Sequence, residues 1–379
     1  MVEPSILFAM VERSPFPYQG PLSPSQVSGR DELLRDLAER LVQRRLTALL
    51  GPRRFGKTSV LRRVTADLAQ VGPETIWIDL YELNSMADLV IAVDRGLHQV
   101  TGKLRAALGS IAGGLSVQLG VVGLELSRAS RVRTDPVVAL RSLLQVLVTA
   151  AQKHDLIVVF DEFSGIANVK GAAGVLRTEL QHHYQELGIV FAGSQPSTMK
   201  LLFGDQAQPF FAQADLLEIG PLADDDLSAI VEDGFAQTGR TAGPVTTRVV
   251  HFSRGHPQRA MQMADAAWRL TPEGGTADDN TWADALDAVR TSVDNGSERL
   301  YELIPGGQQK TLRAVVTSGH VYGAAADVLD LSPGTARAAV EALLGNGYLA
   351  HRAAPGTAKP TLVVVDPMFA DWIRRRFSA

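Results

Sequence analysis

Residues Gly51-Pro52-Arg53-Arg54-Phe55-Gly56-Lys57-Thr58 complete a G-x-x-x-x-G-K-[ST] pattern. The chemistry this spacing suits is the cradling of a nucleotide triphosphate. Glycines let the backbone curl until its N–H groups point inward at phosphate oxygens. A helix starting near Lys57 adds its positive dipole end. Lys57 is expected to reach the β- and γ-phosphates, and the Thr58 hydroxyl to serve Mg2+, a cation that prefers hard oxygen ligands. Gly51 through Ser59 are therefore the predicted nucleotide contacts.

The pattern sits where its chemistry needs it. Leu46–Leu50 before it is an apolar run of strand length, and Ser59–Val64 after it has helical apolar spacing. About a hundred residues on, Leu156–Phe160 is a second apolar run and ends on Asp161-Glu162. Ligands of open α/β sheets bind outside the carboxyl ends of the strands. Asp161 is expected to hold the metal, and Glu162 to orient and deprotonate an attacking water. The bland alternative is a solvated acidic turn.

Gly193-Ser194-Gln195 follows another buried run, Ile189–Ala192. Ser194 or Gln195 is a candidate for sensing the γ-phosphate, against an ordinary strand-to-helix cap. Asp79 ends a strand at the same edge and is a secondary candidate. Arg53 and Arg54 face phosphate or pair with surface carboxylates, the second reading being slightly preferred. His256 and Arg259, beside Gly255-His256-Pro257, are candidates for reaching the nucleotide from a helical segment. His182-His183 reads as a surface pair rather than a metal site.

The elements that must position these groups alternate. Strand-like runs at Leu46–Leu50, Ile76–Leu80, Leu156–Phe160, Ile189–Ala192 and Leu216–Ile219 are separated by helical stretches. That predicts an α/β fold with a parallel sheet and helices on both faces. Before it, residues 1–26 carry a proline-rich stretch that reads as an N-terminal strap. The core is expected over 27–222, its first helix opened by Ser28. The glycine-rich stretch 101–134 within it has period-2 alternation around Leu115, Val117, Leu119 and Val121, which predicts an inserted β-hairpin. After Gly220-Pro221-Leu222 the pattern is helical. A small helical lid is expected over 223–295, with a linker at 271–281. A winged-helix domain is expected over 296–379, where three short helices precede a strand at Val363–Val365.

The chain has 379 residues, 45% of them hydrophobic, with a formal net charge of −4 and no cysteine. Disulfides and thiolate chemistry are excluded. The charge gives no global attraction to nucleic acid. The start lacks the basic region of a secretory signal, and no apolar run is long enough to span a membrane. The expectation is a cytoplasmic protein.

With these motifs the sequence resembles the AAA+ ATPases, and within them the STAND and archaeal-type ATPase group with its bacterial relatives. The resemblance rests on Ser28–Glu32, the phosphate loop Gly51–Thr58, Phe160-Asp161-Glu162, Gly193-Ser194, Gly255-His256-Pro257 and Val365-Asp366-Pro367-Met368-Phe369. It implies a P-loop NTPase sheet, ATP and Mg2+ as ligands, and slow ATP hydrolysis using Glu162, Lys57 and Ser194. It implies that Gly29 and Arg30 lie near the adenine, and that Pro257 and its neighbours let the lid sense nucleotide. Relatives often carry an arginine in the segment that here reads Pro209–Ala214 and offers Gln213. Two functions compete. One is an ATP/ADP switch acting on a protein partner or by self-association. The other is an initiator-like or loader-like ATPase whose winged helix binds duplex DNA. The helix candidate Leu331–Ala342 carries only Arg337 as a basic residue, which favours the switch.

Overall fold

The computed structural model describes residues 12–115, 117, 135–352 and 360–377. The chain divides into two units. A sheet unit comprises Pro21–Gly220 with Gly345–Gly347, and a helical unit takes the other described residues.

The sheet unit holds five strands: β1 (Thr47–Leu50), β2 (Glu74–Asp79), β3 (Leu156–Asp161), β4 (Leu187–Gly193) and β5 (Asp215–Glu218). Their order is β2-β3-β4-β1-β5, and every pairing is parallel. β1, β3 and β4 are buried at every residue. That requires cover on both faces, and it explains why they read as unbroken apolar runs. The helices are α1 (Asp31–Val42), α2 (Lys57–Ala69), α3 (Met86–Gln99), α4 (Gly102–Gly114), α5 (Pro136–Ala151), α6 (Ala172–Leu180) and α7 (Pro196–Gly204). The register aligns Leu50 with Gly193 and Asp79 with Asp161. The carboxyl ends of four strands therefore lie level, and the phosphate loop and the acidic pair emerge at one edge.

Two expectations need correction here. The helix after the strap starts at Asp31 with Arg30 as its N-cap, so Ser28 does not cap it. Part of the expected insertion is helix: α4 buries Leu104, Leu108 and Ala112 in the core of the sheet unit. Its small residues, including Gly109 and Gly113, read as loop, but burial of every fourth residue outweighs their weak propensity. The alternating stretch beyond Val117 lies outside the described residues.

The helical unit holds α8 (Asp224–Ala236), α9 (Val245–Ser253), α10 (Pro257–Leu270), α11 (Asp279–Leu303), α12 (Gly306–Ser318), α13 (Ala324–Val328), α14 (Pro333–Gly345) and α15 (Pro367–Arg376). Strands β6 (Leu349–Arg352) and β7 (Thr361–Val364) pair antiparallel. Residues 295–296, the expected lid boundary, fall inside the 25-residue α11. α11 stays unbroken because it serves two cores. Ala285 and Val289 pack into one hydrophobic cluster, and Tyr301 into the other. Asp278 opens it by accepting the Thr281 N–H at 2.8 Å. The expected linker before it is tied down: the Thr241 N–H donates to the Gly275 carbonyl, and the Ala277 N–H to the Thr241 carbonyl, both at 2.9 Å.

Of the expected strap, residues 12–26 are described. Phe16 is buried against Phe235, with ring centroids 5.6 Å apart. Gly234 is required there, since a Cβ would lie 2.4 Å from the Phe16 ring.

Candidate nucleotide site

The phosphate loop is shaped by its neighbours. A Cβ on Gly51 would lie 2.3 Å from Ile219 Cγ2 and 2.7 Å from the Ile219 carbonyl, so only glycine fits. Gly56 has φ +90 and is the N-cap of α2, a conformation that favours glycine. Arg54 also has positive φ. Phe55 is buried and anchors the loop between them. Lys57 folds back under the loop, donating to the Gly51 carbonyl at 2.8 Å and the Pro52 carbonyl at 2.9 Å.

Three further groups converge from β3 and β4. Thr58 Oγ1 donates to Asp161 Oδ2 at 2.8 Å. The Glu162 N–H donates to Asp161 Oδ1 at 3.0 Å. Ser194 Oγ donates to Glu162 Oε2 at 2.5 Å. Glu162 has φ +52, in the left-handed region. This sharp turn lets adjacent carboxylates at one strand end take different partners. Behind them Phe160, Phe163, Phe191, Phe203 and Phe210 form a contiguous aromatic cluster, with Phe163 and Phe191 centroids 4.3 Å apart. It holds the strand ends rigidly.

A solved structure of similar shape is the Walker-type ATPase of Pyrococcus abyssi, with TM-score 0.70 and 19% identity, covering 95% of this chain and 99% of that one. Another is the Aeropyrum pernix ORC2 protein in ADPNP–ADP complexes, with TM-score 0.54 and 14% identity, covering 97% and 99%. Its ADP form gives TM-score 0.52 and 13% identity over 96% and 98%. The fold is that of the α/β P-loop NTPases. No protein-family model matches the chain, and no curated protein matches it.

Within the P-loop unit, electrostatics follow from burial. Burial pushes Lys57 down to about 8, Arg53 adds to the lowering, and Glu162 and Asp161 oppose it. Burial pushes Asp161 up, as do the charges of Glu162 and Asp79, against the hydrogen bonds from Thr58 and the Glu162 N–H. A buried carboxylate held beside two others, with a hydroxyl 2.8 Å away, is an oxygen donor set suited to a hard divalent cation. Among the described residues no group of three or more His, Cys, Asp or Glu is placed to hold a metal. Thr58 and Asp161 are the residues here that could hold a divalent cation.

Other candidates divide. Ser194 points into the site, whereas Gln195 is exposed and accepts from Thr198 Oγ1 at 3.0 Å. Ser59 accepts the Leu22 N–H at 3.0 Å, so its hydroxyl holds backbone rather than facing the loop. Asp79 accepts the Tyr81 N–H at 3.0 Å. Arg53 lies over the Tyr81 ring at 5.8 Å instead of on a carboxylate. Gly29 has φ +68, and Arg30 donates to the Gly220 carbonyl at 2.7 Å. His183 Nδ1 contacts Glu186 Oε2 at 2.9 Å.

His256, Pro257 and Arg259 belong to the helical unit. His256 caps α10, its Nδ1 accepting the Arg259 N–H at 3.4 Å. The Arg259 guanidinium grips Asp366 at 2.5 to 3.1 Å and donates to Gln262 at 2.6 Å. Gly255 is fixed by space, for a Cβ would lie 2.5 Å from the Leu222 carbonyl.

Sequence reasoning missed Arg62 and Trp77. With Thr58, Asp79, Asp161 and Glu162 they line a cavity of about 580 Å³ beside the acidic pair. The signal was present in β2, where Thr75, Trp77 and Asp79 alternate with buried Ile76 and Ile78.

Proposed function

We propose that this chain is an ATP-hydrolysing switch of the AAA+ type. The observation that carries the reading is the chain of contacts Thr58–Asp161–Glu162–Ser194 at the carboxyl ends of β3 and β4. These contacts support a reading with Thr58 and Asp161 on the metal side and Glu162 as the base, beside the phosphate loop. Mg2+, when bound, would neutralise charge developing on the β- and γ-phosphates. The chain's own residues do the rest. Loop N–H groups and Lys57 position the triphosphate, and Glu162 accepts the proton of the attacking water. Ser194 orients the Glu162 carboxylate. Water-oriented hydrolysis without a covalent intermediate is slow unless a cation is supplied from elsewhere, so slow turnover fits a switch.

The Pyrococcus abyssi likeness, described as a Walker-type ATPase, supports the ATPase reading. The order α12, α13, α14, β6, β7, α15 supports a winged-helix reading of the end of the chain. The charges there favour a protein or self-association readout over duplex DNA. In the cluster Arg374-Arg375-Arg376, Arg375 is engaged by Asp294 at 2.6 Å and Asp371 at 2.9 Å, and Arg376 by Glu298 at 3.5 Å. Arg337 on α14 lies 3.3 Å from Glu341. Cations already matched to carboxylates contribute little to phosphate binding.

The test measures phosphate release and ATP binding with Mg2+ for the wild type, Lys57→Ala and Glu162→Gln. Binding lost in the first variant, and retained without turnover in the second, supports the reading. Wild-type turnover in Glu162→Gln would remove it. A salt-dependent DNA shift lost on truncation after Asp371 would favour the initiator-like reading.

A further inference from the structure

The nucleotide site leaves one half-buried cation of the sheet unit without a role. Arg177 on α6 lines a second cavity of about 560 Å³, together with Thr178, Gln206, Gln208, Phe211 and Gln213. The last four come from the segment between α7 and β5. None of the lining residues carries a carboxylate. The Arg177 Nε is buried and has no hydrogen-bond partner. Among the described residues no acid pairs with Arg177. Glu179, two positions on, is held by Arg141 at 3.5 Å. The Tyr184 hydroxyl is likewise buried without a partner. Burial pushes the Tyr184 phenol up to about 12, against the charge of Arg177. It is therefore neutral at ordinary pH and offers Arg177 no counter-charge.

Such an arrangement is costly as a purely structural feature. A buried donor without a partner forfeits its hydration. The Nε is closed off from the cavity, so a ligand there would meet the terminal guanidinium nitrogens and balance their charge. A guanidinium is a rigid fork of N–H donors whose geometry matches a carboxylate or a phosphate. Glutamine side chains add neutral donors around it. Phe211, 38% exposed, offers an apolar wall at the mouth.

We propose that this cavity is an oxyanion-binding site, taking a phosphate or carboxylate group on the Arg177 fork with glutamine amides completing the contacts. It shares no lining residue with the phosphate-loop cavity and stands whether or not ATP is hydrolysed. The group arrives either on a small molecule from solution or on an acidic side chain of a second copy of the chain.

The experiment uses the full chain carrying Lys57→Ala, so that the phosphate loop cannot answer for the cavity. Inorganic phosphate is titrated at constant ionic strength and thermal midpoints are read. The same titration is run with Arg177→Met and with Gln208→Leu added. For an anion from solution, the midpoint rises saturably with phosphate, and the apparent Kd weakens at least tenfold with Arg177→Met and less with Gln208→Leu. For an anion from a second copy, sedimentation velocity shows self-association that phosphate competes with and Arg177→Met abolishes. A phosphate response and a sedimentation profile both unchanged by Arg177→Met overturn the proposal.

Discussion

Ser194 Oγ donates a 2.5 Å hydrogen bond to Glu162 Oε2, joining the end of β4 to the turn after β3 across 32 positions of sequence. The bond holds a carboxylate that sits in a left-handed turn and would otherwise be free to rotate. Removing the base should cost more than removing its support. Glu162→Gln is expected to lower kcat by about 100-fold or more with ATP affinity retained, the usual scale for general base catalysis. Ser194→Ala should lower kcat by roughly tenfold with KM unchanged. Steady-state phosphate release reads both, and equal losses would show that Ser194 does more than orient Glu162.

Lys57 links nucleotide binding to pH. It is 5% exposed, and burial holds it at about 8 in the free protein, below the unfolded value of 10.5. Bound phosphate favours the ammonium form. Binding above pH 8 therefore takes up a proton, and affinity falls by up to ~tenfold per unit as pH rises from 8. The sign for folding is opposite. The native state gives up its proton near 8 while the unfolded chain keeps its own to 10.5, so this group adds stability as pH rises through that window. Fluorescent-ADP titrations between pH 7 and 9.5 check the first statement. A flat Kd would mean Lys57 is not the linked group.

Asp161 is a buried carboxylate raised by burial and by Glu162 and Asp79. Neutralising it should relieve the nucleotide-free protein. Asp161→Asn is expected to raise unfolding stability by about 1 kcal/mol without ligand and to remove the Mg2+ dependence of ATP binding. Thermal scans with and without Mg-ATP test both. A destabilised variant would show that Asp161 contributes to the fold rather than to the metal.

Arg259 and Asp366 form a bidentate pair, 2.5 Å at its shortest, between α10 and the start of α15. Asp366 also accepts the Met368 N–H at 2.9 Å. Arg259→Met removes the guanidinium from that carboxylate and should cost about 3 kcal/mol in urea unfolding. Burial raises Asp366, but the Arg259 hydrogen bonds and charge outweigh it and hold the group below 3.8. The pair therefore contributes fully above about pH 4 and is lost as pH falls through the native value. Acid unfolding of Arg259→Met should lack that component. An unchanged acid midpoint would mean the pair adds nothing to the fold.

Much was legible in the chain because its signals are local. The loop pattern Gly51–Thr58, the apolar run ending in Asp161-Glu162, and all five strands follow from composition and period along a few residues. The same holds for α8, α9 and α10. Fully buried parallel strands cannot alternate, so they announce themselves as continuous apolar runs. Backbone amides at a helix start need only glycine at the right places, and that requirement is written in sequence.

The rest depends on groups far apart in the chain. Ser194 Oγ reaches Glu162, 32 positions away, whereas Gln195 is exposed and meets Thr198 on its own helix start. α4 formed from a glycine-rich stretch because its buried side had a core to meet. α11 continued past the expected boundary because two separate clusters claim its two ends. Arg259 reads as a reach toward a ligand, yet its guanidinium is held by Asp366, 107 positions away. Partner choice among charged groups, and helix formation in weakly biased segments, are settled by desolvation and packing. Those energies exist only once distant residues are in contact.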